Sequence, residues 1–134
     1  MRVYLAAPMS GKEHANLPAI LEARDALVRE GHEVILPKDV DAPEMAERLY
    51  GGVHEPTDQE WIDLLADDLR EIVRSKAEAI VCLPGWEYSG GVRLETWFAH
   101  HLRGLPIYDF HTGFPTHPLS ESWLDYVHTR HADR

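Results

Sequence analysis

The residues best placed to do chemistry lie in the stretch 84–106, PGWEYSGGVRLETWFAHHLRGLP. A Ser-Gly-Gly turn, Ser89-Gly90-Gly91, opens onto a helical pattern, and Glu95 falls one turn inside its start. The apolar run AEAIVCL, residues 77–83, leads into this turn as a buried strand. A strand that passes through a glycine-rich turn into a helix presents free backbone N–H groups and the positive end of a helix dipole, and both attract anions. A carboxylate held in such a field is favoured in its ionised form. Glu95 is therefore suited to act as a nucleophile or a hydrogen-bond acceptor rather than as an acid.

The surrounding elements must hold that turn at a crevice. Residues 2–7 (RVYLAA) read as a short buried strand ending at Pro8, followed by the loop Met9-Ser10-Gly11-Lys12. An amphipathic helix is expected from about residue 18 to 30, with Leu17, Ile20, Leu21, Ala23, Leu27 and Val28 on one broad face and Gly31 as its stop. Residues 32–36 (HEVIL) give a second strand. Residues 39–59 form a long connection with one short helix at 43–50, a length typical of a lid or binding loop. A long helix follows from Gln59 to about Ser75, capped by Asp58, with Trp61, Ile62, Leu65, Leu69, Ile72 and Val73 on its apolar face. The strand at 77–83 comes next, then a helix at 91–103 stopped by Gly104. A fourth strand at 105–110 and a last helix near 120–128 complete the chain.

This order of strands and helices implies one α/β domain over residues 1–134, with a core of about 1–110 and a helical tail. Its sheet is doubly wound and parallel, with right-handed crossovers, in a Rossmann- or flavodoxin-like α/β/α sandwich of three layers. Ligands bind such sheets at the carboxyl ends of the strands. The loops after the first and third strands both carry glycine there.

Composition narrows the function. The chain has 134 residues and is 44% hydrophobic, an ordinary globular balance that argues against disorder. A net charge of −10 argues against a polyanion as partner, because phosphate-backbone binding needs a basic face. A small phosphorylated ligand needs only a few local donors. The lone Cys82 gives no disulfide framework and fits a reducing cytoplasm. No run approaches the roughly 18 apolar residues of a membrane span, and the N-terminus reads as a strand rather than a signal peptide. The nine histidines show no metal-ligand spacing, since His100 and His101 are adjacent and point apart on a helix. No metal and no cofactor are expected. Lys12 after a glycine lacks the rest of a P-loop pattern.

Two stretches together resemble the nucleoside 2-deoxyribosyltransferase superfamily. One is VYLAAPMSGK (residues 3–12). The other is AEAIVCLPGWEYSGGVRLETWFAHHLRGLPIY (residues 77–108), which contains a Ser-x-Gly-x-x-x-Glu signature at Ser89–Glu95 and the later Gly104-Leu105-Pro106. The resemblance implies that Glu95 attacks C1′ of a sugar, expels the base and forms a covalent glycosyl-enzyme. It implies that Tyr4 orients Glu95 and that Asp68, with Asp67 as the alternative, handles the sugar hydroxyl or the leaving base. Family transferases acting on free nucleosides carry aspartate where Ser89 stands, whereas the nucleoside 5′-monophosphate N-glycosidases carry serine. A hydroxyl accepts a phosphate that a carboxylate would repel.

The resemblance therefore points to a (deoxy)nucleoside 5′-monophosphate N-glycosidase, a homo-oligomer without cofactor. Its substrate contacts would come from Ala7, Pro8, Met9, Ser10, Gly11, Lys12, Trp86, Ser89, Gly90 and Gly91, with charge from Lys12 or Arg93. A deoxyribosyltransferase and a non-catalytic nucleotide sensor are the alternatives. The plain readings are that Glu95 merely favours its helix, that Tyr4 is core and that Asp68 is a solvated charge. Trp61 and Trp97 are expected in the core, and Trp123 and Tyr126 either at a subunit contact or packed on their own domain.

Overall fold

A computed structural model of the chain describes residues 1–9, 12–37 and 57–130. Four strands, β1 (Arg2–Ala6), β2 (Glu33–Ile35), β3 (Ala79–Cys82) and β4 (Ile107–Asp109), form one sheet in the order β2-β1-β3-β4. All pairings are parallel. Four α-helices cover it: α1 (Leu17–Arg29), α2 (Asp58–Arg74), α3 (Gly90–Trp97) and α4 (Glu121–Arg130). The fold is the expected three-layer α/β/α arrangement.

Strand periodicity divides the core in two. Val3, Leu5, Val81 and Tyr108 point to the face covered by α1 through Ile20, Ala23 and Leu27. Tyr4, Ala6, Ile80, Cys82 and Ile107 point to the other face, covered by Ile72 of α2, Val92 of α3 and Leu124 and Val127 of α4. Right-handed crossovers account for the division, because the leftward step from β1 to β2 and the two rightward steps that follow must lie on opposite faces.

The strands are shorter than the apolar runs suggested: Ala7, Ala77 and Leu83 lie just outside them yet are buried. The helix faces are narrower: Leu21, Val28, Ile62 and Val73 are exposed. The cap of α2 is Thr57, not Asp58. The Thr57 hydroxyl accepts from the Glu60 N–H at 3.2 Å, and the Glu60 carboxylate accepts from the Thr57 N–H at 3.0 Å. This reciprocal pair satisfies two otherwise open donors, so it outcompetes the single bond Asp58 could offer one residue later. The helix expected at 43–50, and with it most of the long connection, lies outside the described residues.

After α3 the chain widens into a π turn, Phe98–Leu102. Helix α4 docks beside it. His128 meets the Thr96 hydroxyl at 2.9 Å, and that hydroxyl donates to the Val92 carbonyl at 2.9 Å. The other ring nitrogen, Nδ1, is buried without a hydrogen-bond partner among the described residues. Trp123 and Tyr126 stack on each other, ring centroids 5.4 Å apart, on the exposed side of α4. Trp97, expected in the core, is also exposed and lies against His101. Its place on α3 points away from the sheet.

Burial lowers the His128 pKa to about 4, with His101, His100 and Arg93 adding to the effect and Asp125 opposing it. The unfolded chain takes up this proton near pH 6.5. The stability contributed by neutral His128 is therefore complete above pH 6.5 and is lost as the pH falls toward 4. Thermal unfolding of wild type and His128→Gln at pH 7 and pH 5 tests this. Wild type should lose more melting temperature on acidification than the variant, and equal losses would remove His128 from the account.

Candidate active site

The site begins with the pairing of β1 and β3. Ala6 stands opposite Cys82, and the Leu83 N–H donates to the Ala6 carbonyl at 3.0 Å, so both strands end together. The loop carrying Ala7, Pro8 and Met9 consequently runs beside the loop carrying Gly85 to Ser89. Each is locally pinned. Asn16 donates from its side-chain amide to the Pro8 carbonyl at 2.9 Å, and Arg93 reaches back from α3 to the Glu87 carbonyl at 3.2 Å.

A cavity of about 510 Å³ opens between these loops and helix α2, within the size range of small-molecule sites. Glu95, Asp68, Ser89, Gly90, Gly91, Ala7, Pro8, Met9 and Lys12 all line it. Ser10 and Gly11 lie outside the described residues. Glu95 is 5% and Asp68 7% exposed; with Thr96 they are the buried polar or charged side chains among the described residues. Thr96 is explained by its bonds to Val92 and His128. The two carboxylates both line one cavity.

Asp67, the alternative to Asp68, turns outward and pairs with Arg70 at 3.0 Å. One residue is a 100° rotation on a helix, which is enough to exchange the cavity for solvent. On α2 the stripe that packs on the sheet at Leu69 and Ile72 continues toward the N-terminus as Asp68, Leu65, Leu64 and Trp61, now lining the cavity. Trp61 is therefore a wall residue rather than core. A helical stripe has the same spacing whether it faces a sheet or the space beyond the sheet's edge, so only its seven-residue offset from Asp68 hinted at this place.

Trp86 is corrected in the opposite direction. The short 3₁₀ turn Trp86–Tyr88 points the Trp86 ring inward, 1% exposed, into the core with Tyr4 and Val92. Tyr88, which the sequence did not single out, lines the cavity instead. Tyr4 is fully buried in the same core cluster and is not on the cavity wall. It lies on the sheet face that α3 covers, two residues short of the strand's end.

The Ser89 hydroxyl caps α3, accepting from the Val92 N–H at 3.3 Å. The start of α3 thus faces the cavity with Gly90 and Gly91. A methyl group on Gly91 would stand 3.4 Å from the Leu65 side chain, at the seam between α2 and α3. The exposed Lys12 supplies a cation on the wall. Arg93 does not line the cavity, its guanidinium being engaged with the loop carbonyl. Cys82 lies beneath the site. Burial pushes its thiol pKa well up, and the charges of Glu95, Asp109 and Glu87 raise it further, so it stays a neutral thiol and no nucleophile. Among the described residues no cluster of three or more His, Cys, Asp or Glu side chains is arranged to hold a metal ion, and no helix is long and apolar enough to cross a membrane.

The crevice is thus that of a parallel α/β protein with two buried carboxylates at the carboxyl edge of its central strands. The chain belongs to the family described as Domain of unknown function (DUF4406), whose pattern matches residues 1–108. That span holds every described residue of the cavity wall and ends at β4, before α4. No curated protein and no solved structure matches the chain.

Ser89 carries a stability consequence that separates its roles. Ser89→Ala removes the cap and should cost about 1 kcal/mol of unfolding free energy. Ser89→Asp keeps an acceptor at the N-cap and should retain wild-type stability within about 0.5 kcal/mol, aspartate being as good a cap as serine. Denaturant unfolding of the two variants decides it.

Proposed function

We propose that the protein is an N-glycosidase that cleaves the base–sugar bond of a (deoxy)nucleoside 5′-monophosphate. The observation that carries this reading is the burial of Glu95 and Asp68 in one cavity at the N-terminus of α3. Burying two carboxylates is costly, and glycosidic-bond cleavage is chemistry that uses such a pair. The Ser89–Glu95 signature and its resemblance to the nucleoside 2-deoxyribosyltransferase superfamily point the same way.

In this reading the Glu95 carboxylate attacks C1′ as the C1′–N bond breaks, and the electron pair leaves with the base. The negative charge of Glu95 stabilises the oxocarbenium-like transition state, and the glycosyl ester splits one difficult displacement into two easier ones. Asp68 accepts from the sugar hydroxyl or serves the proton needs of the departing base. Water then attacks C1′ and frees Glu95. A second base in place of that water makes the enzyme a deoxyribosyltransferase, and adding a free base to the reaction separates the two. The 5′-phosphate would sit against the Ser89 hydroxyl and the N–H groups that start α3, with Lys12 contributing charge. The reading carries a cytoplasmic enzyme without metal or cofactor, assembled as a homo-oligomer for which the exposed Trp123 and Tyr126 offer a contact surface.

Free base released from a panel of nucleosides and monophosphates is the direct test. Glu95→Ala should lower the rate by roughly 10³-fold or more, as loss of a covalent nucleophile does. Base release at the wild-type rate would refute the mechanism, and ligand-induced thermal stabilisation without any base release would favour a sensor instead. Ser89→Asp should cut monophosphate turnover by at least about tenfold while sparing the nucleoside, since it places a like charge near the phosphate. Equal effects on both substrates would remove the phosphate from this position.

A further inference from the structure

We infer that α2 is the base-holding wall of the cavity, that Trp61 is its specificity-determining residue, and that the site takes bases by stacking rather than by reading their edges. The inference rests on the nucleotide reading of the cavity and adds to it the manner in which the base is recognised.

The polar groups of the cavity and its α2 stripe come from different elements, with Ala7, Pro8, Met9, Val92 and Tyr88 adding further surface beside the polar groups. Ser89, Gly90, Gly91 and Lys12 occupy the side formed by the start of α3 and the loop after β1. Asp68 and Glu95 are its buried part. On α2 an apolar stripe, Leu65, Leu64 and Trp61, runs from Asp68 toward the start of the helix. Seven residues of helix separate Asp68 from Trp61, about 10 Å along the axis. A sugar held at the carboxylates with its phosphate at the α3 start lets a planar ring lie along that stripe toward the indole. Leu64 and Leu65 carry no side-chain donor or acceptor, so between Asp68 and Trp61 the wall offers a flat apolar surface and no hydrogen-bond pattern. The Thr57–Glu60 capping box fixes the turn in which Trp61 begins, so the indole is carried on an ordered helix end.

Selectivity follows from this chemistry. A site that hydrogen-bonds a substrate edge rejects the wrong partner by roughly 10⁴-fold or more, whereas an apolar pocket discriminates by about 10- to 200-fold. Stacking is tolerant because every base has a π face, and it strengthens with ring area. Purine monophosphates should therefore bind somewhat better than pyrimidine ones, and all should bind far better than a sugar phosphate lacking a base.

Titration calorimetry on the full chain carrying Glu95→Gln, which blocks turnover, tests the inference with AMP, GMP, CMP, UMP and ribose 5-phosphate. The four nucleotides should fall within about 30-fold of one another, purines ahead. Trp61→Ala should weaken AMP by roughly 5- to 150-fold, the span of base–aromatic stacking, and leave ribose 5-phosphate within twofold. Trp61→Phe should recover most of the AMP affinity. The inference is overturned if Trp61→Ala leaves AMP binding unchanged or weakens AMP and ribose 5-phosphate alike. A spread above a thousandfold among the bases overturns it as well. Normal nucleotide binding with no base release by wild type would sink the hydrolase reading and leave the stacking wall standing. Absence of any binding would sink both.

Discussion

The parallel pairing of β1 with β3 is the constraint on which the site depends. Their last paired residues, Ala6 and Cys82, are 76 positions apart, and neither strand leads directly to the other in the chain.

 Between the end of β1 at Ala6 and the start of β3 at Ala79 the chain passes through α1, β2 and α2 before the two strands meet in parallel register. Once the pair forms, two loops with unrelated sequences lie side by side at one sheet edge. One brings Pro8, Met9 and Lys12, and the other brings Ser89 and the start of α3. The strand order turns back on itself between these strands, which is where the loops splay apart and leave room for a ligand.

The same pairing explains which side of the sheet carries the cavity. Among the described residues, the crossovers put α1 on one face and α2, α3 and α4 on the other. On the second face α2 and α3 meet at a seam, with Gly91 against Leu65, that lines the cavity. Glu95 and Asp68 point into that seam from facing helices. Neither is at a chain end or on a loop, so each is held by an element that is itself packed on the core through Val92 or Ile72. Placing charged groups on packed helices fixes their geometry more tightly than a loop would.

Much of this was legible in the sequence because it rests on local rules. Apolar runs marked all four strands, periodicity marked α1, α2 and α3, and the Ser89-to-Glu95 spacing marked the residues at the start of α3. What was not legible depends on where an element ends relative to its neighbours. Trp61 and Ile72 share nearly the same helical phase, yet one faces the cavity and the other the sheet, because the sheet stops between them. Trp86 and Tyr88 are two residues apart in one tight turn, and the turn sends one ring into the core and the other to the cavity. Thr57 was missed as a cap although its Thr-x-x-Glu pattern was present, because Asp58 beside it has an equally good side chain for the task.

In the nucleotide reading proposed above, a phosphate site in a chain of net charge −10 would set local against global electrostatics. At physiological ionic strength a charge is felt over about 8 Å, so acidic residues on distant faces contribute little at the cavity. Inside it the balance is closer: Glu95 and Asp68 oppose an incoming phosphate, while Lys12, the Ser89 hydroxyl and the amides at the start of α3 favour it. Segregation resolves this opposition. With the carboxylates buried at one place and the donors gathered at another, a ligand whose phosphate and reacting carbon are separated by the length of a sugar meets attraction at both ends. A bare anion small enough to slide toward the carboxylates would be repelled by them. The arrangement therefore favours extended, asymmetric ligands over simple anions, and that asymmetry is what the apolar stripe of α2 completes on its third side.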